Sequence, residues 1–433
     1  MNSMTQQVSP ASRLRGVVSV PGDKSISHRY AMLTSIAEGD SRIDNYSTGA
    51  DCQSTLACMH SLGVSHTFSE EDGRQVLTVH GRGIHSLAAP AAALDAGNSG
   101  STIRMLSGIL AAQPFDTLIT GDESLVTRPM RRIITPLSEM GAQIEAANSQ
   151  YPPLSIHGSN LRAIHYKLPV ASAQVKSCVL LAGLYADGET IVEEPIATRD
   201  HTEIALRELG ADISLSPRMA RVRGGAPLKA KTLYVPGDIS SAAFFLVAAL
   251  ITPNSDLIIT GVGLNPTRTV LLDVLRSMGA QIKLLHIEEA NGEIIGNLQV
   301  KSSRMKGGVI EGATTAAVID EIPILSILGA VSDNGLIVRN AGELRVKETD
   351  RIESIAHNLR AMKIQVDTSE DGFTIPGQQK FHAAEIKSFG DHRIAMAFSI
   401  AALAADGPCV VHDAAAASVS FPEFYTTLHN LTN

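Results

Sequence analysis

A short polar residue opening a long apolar segment recurs six times along the chain, and no other feature limits the possible folds as much. The segments begin at Asp23 (KSISHRYAMLTSIA), Asn98 (SGSTIRMLSGILAA), Ser172 (AQVKSCVLLAGL), Asp238 (ISSAAFFLVAALI), Asp320 (EIPILSILGAV) and Asp391 (HRIAMAFSIAALA). Successive starts lie 75, 74, 66, 82 and 71 residues apart. A near-constant period marks structural repeats, here of about 72 residues. Asp, Asn and Ser are the residue types that cap helix N-termini. Six buried helices, one per repeat, are therefore expected.

A second pattern interleaves with the first: an amphipathic helix ending in Leu or Met, then Gly, then a strand. It occurs as HSLGVSH, LSEMGAQIEA, RELGADISL and RSMGAQIKLL, with LRAMKIQVDT as a variant. Gly63, Gly141, Gly210 and Gly279 suit a left-handed helix terminus, and Lys363 takes that place in the fifth copy. Each repeat thus reads strand, buried helix, strand, amphipathic helix, strands. The fold class is α/β, with sheets covered by helices.

The sixth repeat runs out of chain before its second helix, while the strand-like SRLRGVVSV near the N-terminus is spare. Joining the two ends in one domain resolves both. VPGD occurs twice, at Val20 to Asp23 and at Val235 to Asp238, as turn chemistry leading into a helix. We place the domain crossings there. Residues 1–20 and 236–433 are expected to form a discontinuous domain and 21–235 a continuous one, each with three repeats.

With 433 residues, 44% hydrophobic and 18% charged, the chain can bury a large core and is not disordered. Lys+Arg 36 against Asp+Glu 44 leaves a net charge of -8, so nothing draws it generally to nucleic acid or an anionic membrane. The longest purely apolar run, Ala242 to Ile251, is about half of a membrane span. MNSMTQQVSP lacks the features of a signal peptide, and a cytoplasmic location is expected. Cys52, Cys58, Cys178 and Cys409 form no CxxC pair and read as buried, inert thiols. No HExxH spacing, GxxxxGK[ST] or GxGxxG occurs, so no metal, P-loop or dinucleotide cofactor is expected.

The first-turn N–H groups of a buried helix point out of its end with partial positive charge, and such ends bind anions. Basic residues gather at these ends: Lys24 and Arg29, then Arg104, Lys176 and Arg393. Others lie in loops or at helix starts: Arg128, Arg131 and Arg132, Arg199, and Arg345, Lys347 and Arg351. One of Arg131 and Arg132 reads as a solvent-facing charge. Together these features predict a cleft between two repeat domains that takes one doubly anionic small molecule or two anionic substrates. Asp320, Glu321, Glu348 and Asp391 are acids at hand for proton transfer, with His392 a neutral-pH shuttle or a structural residue. Either Asp320 or Glu321 could serve only as a helix cap.

PGDKSISHR, LDAGNSGSTIR, TRPMRR with PLSEMGA, PVASAQVKSCVLLAGL, TRDHTE, IDEIP, GELRVKETDR, GDHRIAM and SFPEF stand in one order between Pro21 and Phe424. In these motifs the chain resembles the 5-enolpyruvylshikimate-3-phosphate synthases, in their class II bacterial branch. The resemblance implies two domains of three βαβαββ units each, closing on substrate as a monomeric clamp. It also implies enolpyruvyl transfer from phosphoenolpyruvate to the 5-hydroxyl of shikimate 3-phosphate, with no cofactor or metal.

Carried over by motif, Lys24, Gly100, Arg128, Gln174, Arg351 and Arg393 would hold phosphoenolpyruvate. Lys24, Ser25, Arg29, Ser172, Ala173 (through its backbone), Gln174, Arg199, Asp320 and Lys347 would hold shikimate 3-phosphate. The resemblance makes Asp320 the base for the 5-hydroxyl, Glu348 the proton donor to the methylene carbon, and Lys24 a catalytic cation touching both substrates. Many relatives carry a Lys just before the C-terminal Ser/Thr-Phe-Pro, where this chain has Val419, so no phosphate contact is assigned there. The rival readings are UDP-N-acetylglucosamine 1-carboxyvinyltransferase and a non-catalytic phosphoanion-binding relative. The first uses a loop cysteine as acid, and none stands between Asn98 and Arg128. The second is expected to have lost Asp320, Glu348 or Lys24.

A clamp held open by like charges should close when a bridging anion binds. Saturating shikimate 3-phosphate is thus expected to reduce the radius of gyration in small-angle scattering. An unchanged profile would count against the clamp.

Overall fold

The protein, described by a computed structural model over residues 4–71 and 74–432, is divided into two compact units. One contains the described residues of 1–21, 236–288 and 294–433; the other contains those of 22–235 and 289–293. Each has its own hydrophobic core.

In the unit around 22–235 the buried helices are Lys24–Ser35, Gly100–Leu110 and Ala173–Gly183; in the other they are Ile239–Ile251, Ile322–Val331 and His392–Leu403. Their apolar residues leave no polar stripe for solvent, so they pass through the cores rather than over them. Asp23, Ser172, Asp238 and Asp391 cap four of them by accepting from Ile26 N, Val175 N, Ser240 N and Arg393 N. Two expected caps are displaced by one residue. Ser99, not Asn98, caps the second helix, because the Asn98 amide is engaged by Asp122 and Arg128. At the fifth, Glu321 rather than Asp320 stands at the cap position and makes no side-chain cap bond. Pro323 in the first turn has no N–H to satisfy there.

Three sheets, two of them in the 22–235 unit, share one plan. In the second repeat Leu94–Asp95 runs parallel to Thr117–Thr120, which pairs antiparallel with Tyr151–His157, and that strand with Gln143–Ala147. The same order recurs in the sheet of His165–Lys167, Glu189–Glu193, Met219–Arg223 and Ile213–Ser216. In the other unit it recurs in Gly308–Ile310, Leu336–Val338, Gly372–Ile375 and Asp367–Ser369. The amphipathic helices end as expected, with Gly63, Gly141, Gly210 and Gly279 at φ 89, 103, 86 and 103° and Lys363 at φ 63°. Glycine carries no Cβ penalty there.

Two departures from the plan involve the N-terminus. The sixth sheet has three strands, and Gln6–Val8 supplies the one antiparallel to Cys409–His412. Arg15–Ser19, within SRLRGVVSV, joins the fourth repeat instead, parallel to Asp256–Gly263 with Val17 opposite Ile258. Elsewhere the lead strand of a repeat pairs with the strand that follows its own buried helix. Here Arg15–Ser19 runs through VPGD into Lys24–Ser35, while the strand after that helix, Glu38–Asp44, pairs with Thr232–Tyr234. Thr232–Tyr234 in turn runs through the second VPGD into Ile239–Ile251. The first and fourth repeats have exchanged lead strands.

Among the described residues no helix is long and apolar enough to cross a membrane.

Candidate active site

Within the 22–235 unit, the starts of the three buried helices carry most of the expected ligands. Lys24, in the first turn after the Asp23 cap, donates to Asp51 Oδ2 at 2.8 Å. One turn on, the Arg29 guanidinium is fixed from three sides: Nε donates to Thr202 Oγ1 at 2.6 Å, Nη2 to Ser177 Oγ at 2.8 Å and Nη1 to the Ser25 carbonyl at 2.8 Å. Arg199 Nη1 lies 3.4 Å from Ser25 Oγ. Ser25, Arg29 and Arg199 are thus brought together.

A second group centres on Gly100. Arg128 donates to Asn98 Oδ1 at 2.9 Å and Ser124 Oγ at 3.0 Å, and Arg104 Nη1 to Gln174 Oε1 at 2.8 Å. Gln174 donates to Ser101 Oγ at 3.0 Å. Gly100, Arg128 and Gln174 are neighbours, while Ser172 caps the helix that begins at Ala173.

The other unit gathers the remaining expected residues in one ion-pair network. Arg351, 1% exposed, donates to Asp391 Oδ2 at 2.7 Å and to Glu348 Oε2 at 2.6 Å, with Nη1 3.7 Å from Asp320 Oδ1. Lys347 Nζ donates to the same Asp320 oxygen at 3.3 Å. Arg393 Nη1 donates to the Asp320 carbonyl at 2.9 Å. Burial works against the Arg351 charge, but Asp391 and Glu348 more than offset it, and its pKa is raised. Fixed cations thus surround two carboxylates that remain partly exposed, an arrangement that can stabilise anions and exchange protons. His392 is buried in the first turn of its helix.

Some basic residues do otherwise than expected. Lys176 does not present its charge at a helix end; it is 2% exposed and bridges Glu194 Oε2 at 2.9 Å and Glu203 Oε1 at 2.7 Å. Burial raises the Glu203 pKa, and Lys176 only partly opposes this. Glu194 also accepts from the Thr198 hydroxyl, tying the helix of Ser172 to the loop of Arg199. Arg345 is committed to Asp350 at 2.6 Å and Glu353 at 3.3 Å. Arg131 is exposed. Asp51 was not anticipated; its only sequence signal is a place at the start of the helix Ala50–Ser61. All four cysteines are buried, and burial pushes the Cys58 thiol up to about 12 and raises the other three as well.

Repeated α/β units with buried helices, and clusters of fixed arginine, lysine and carboxylate at the helix starts, define a class of enzyme that handles anionic small molecules without a nucleotide-binding loop. The sequence profile of EPSP synthase (3-phosphoshikimate 1-carboxyvinyltransferase) matches residues 8–428, and the chain belongs to that family. It is 60% identical over 428 residues to a 3-phosphoshikimate 1-carboxyvinyltransferase of Solibacter usitatus, covering 99% of this chain and 100% of that one. A protein of the same name from Koribacter versatilis is 52% identical, covering 98% of both chains. The EPSP synthase structure from Acinetobacter baumannii superposes with a TM-score of 0.86 at 43% identity, over 99% of this chain and 98% of the other.

Proposed function

We propose that the chain transfers the enolpyruvyl group of phosphoenolpyruvate to the 5-hydroxyl of shikimate 3-phosphate. The methylene carbon is protonated as the hydroxyl oxygen bonds to C2; the C2–O bond to phosphate then breaks, and loss of a methyl proton restores the double bond. The network of Asp320, Lys347, Glu348, Arg351 and Arg393 carries this reading. It sets two carboxylates, one for each proton, among cations that need no reorganisation as charge moves. Glu348 gives the proton to the methylene carbon and Asp320 takes that of the hydroxyl. Lys24, Gly100, Arg128, Gln174, Arg351 and Arg393 hold phosphoenolpyruvate; Lys24, Ser25, Arg29, Ser172, Ala173, Gln174, Arg199, Asp320 and Lys347 hold shikimate 3-phosphate. The enzyme acts in the cytoplasm as a monomer. Phosphate release from phosphoenolpyruvate, assayed with shikimate 3-phosphate and with UDP-N-acetylglucosamine, tests the reading. Release with only the second acceptor, or with neither, would overturn it.

Gly100 gives a test with an inhibitor, glyphosate, which competes with phosphoenolpyruvate in this family. A Cβ at this position would stand 2.9 Å from Arg104 Nη1 and 3.5 Å from Arg128 Nη1. The methyl of Gly100→Ala must displace the Arg104 guanidinium and crowd Arg128, and the longer inhibitor has less room to adjust than the substrate. Overpacking of this kind costs about 1–3 kcal/mol. The glyphosate inhibition constant is expected to rise roughly tenfold to a hundredfold, with the phosphoenolpyruvate KM changing much less. Equal inhibition of both forms in steady-state competition would show that the methyl does not reach the inhibitor.

A further inference from the structure

The dipeptide Thr-Arg occurs at three corresponding places, Thr127-Arg128, Thr198-Arg199 and Thr267-Arg268. Each follows a strand, Thr117–Thr120, Glu189–Glu193 or Asp256–Gly263. Each also stands just before an amphipathic helix, Arg131–Glu139, His201–Glu208 or Val270–Ser277. The first two arginines are assigned to substrate above. The third has no assigned part.

Arg268 is 5% exposed and its guanidinium is turned onto the start of its own repeat's buried helix. Nη2 donates to Ser240 Oγ at 2.7 Å and lies 3.3 Å from Oδ1 of the cap residue Asp238. Ser240 Oγ passes the contact on by donating to Glu321 Oε1. The same Glu321 oxygen lies 3.9 Å from Arg393 Nη1, the atom that donates to the Asp320 carbonyl. Glu321 is itself only 4% exposed, so its charge must be balanced by protein cations rather than water. Among the described residues two arginines lie near it: Arg268, itself paired with Asp238 at 3.3 Å and reaching Glu321 through Ser240, and Arg393 at the limit of ion-pair distance.

We propose that Arg268 is a positioning residue that takes up the Glu321 charge through Ser240 and so leaves the Arg393 guanidinium available to phosphoenolpyruvate. This rests on the assignment of Arg393 to that substrate. Without Arg268, the buried carboxylate draws Arg393 inward, closing the 3.9 Å gap and turning the cation from the ligand. The third Thr-Arg thus serves the substrate at one remove, where the other two meet it directly.

The test is steady-state kinetics on Arg268→Met, alone and combined with Glu321→Gln. Arg268→Met is expected to raise the phosphoenolpyruvate KM roughly tenfold or more, with a much smaller change in the shikimate 3-phosphate KM. Adding Glu321→Gln removes the inward pull and should restore the phosphoenolpyruvate KM, a rescue that simple loss of packing would not show. Ser240→Ala cuts the same path with little change in volume and should give a smaller rise of the same kind, so the question stays open to test if Arg268→Met does not fold. An unchanged phosphoenolpyruvate KM in Ser240→Ala and Arg268→Met, or a rise that Glu321→Gln does not reverse, overturns the proposal. Arg393→Met separates the premises. If it raises the phosphoenolpyruvate KM and Arg268→Met does not, only the positioning role fails; if it has no effect, the assignment of Arg393 fails and the positioning role falls with it.

Discussion

Glu348→Gln is expected to cut turnover by a factor on the order of 100 to 10,000 while both substrates still bind. The amide keeps an oxygen for Arg351 Nη2, which donates to Glu348 at 2.6 Å, so the guanidinium should stay where Asp391 and Asp320 hold it. What the variant lacks is a transferable proton. Asp320→Asn should be similarly slow and should also lose affinity for shikimate 3-phosphate, because Lys347 and Arg351 lose the charge that holds them beside it. Turnover by phosphate release, with binding by calorimetry, separates the two effects. Near-normal turnover of Glu348→Gln would remove that residue from the proton path.

Lys176→Met is expected to lower stability by about 3–5 kcal/mol, because it strands two buried carboxylates. Lys176 is the cation between Glu194 and Glu203, both about as buried as itself. The loss should depend on pH with a definite sign. Burial already raises the Glu203 pKa in the folded protein, and removing Lys176 takes away the chief opposing influence. Above the unfolded-state pKa the native state then holds the extra proton, so the variant loses stability as pH rises and recovers part of it on acidification. Urea midpoints at several pH values would show this, and Lys176→Met with Glu194→Gln and Glu203→Gln should restore much of the loss. A pH-independent penalty would mean that packing, not charge, is the cause.

The repeat architecture was legible because it rests on apolar period and on end signals that act locally. A helix with no polar stripe must be buried, and Gly after Leu or Met must end the amphipathic one. The class α/β followed from these. Caps were legible only to within a residue, as at Asn98-Ser99 and Asp320-Glu321, since the first side chain of each pair is engaged elsewhere, Asn98 by Arg128 and Asp320 by Lys347. The strand Gln6–Val8 carries no hydrophobic alternation and exists because Cys409–His412 offers it an edge. Its pairing is a tertiary fact. In the site, the basic residues were visible by type and Asp320, Glu348 and Asp391 as acids, but the partners of Lys24 and Lys176 were not. Asp51 faces Lys24 across 27 residues, and Lys176 points away from the helix end that its position in the sequence suggested.

The pairing of early strands with late ones sets a schedule for synthesis on the ribosome. The unit around 22–235 carries its own Thr232–Tyr234, so its first sheet can close once that segment has emerged. Gln6–Val8 is made before that unit and yet pairs with Cys409–His412. At ordinary elongation rates of about 5–20 residues per second, it waits roughly 20 to 80 s for its partner. Through that interval the nascent chain carries Gln6–Val8 as an unpaired strand whose edges are open to any neighbour. Gln6 and Gln7 make that strand polar, which suits a segment that must stay in solution until its partner in the sixth repeat arrives.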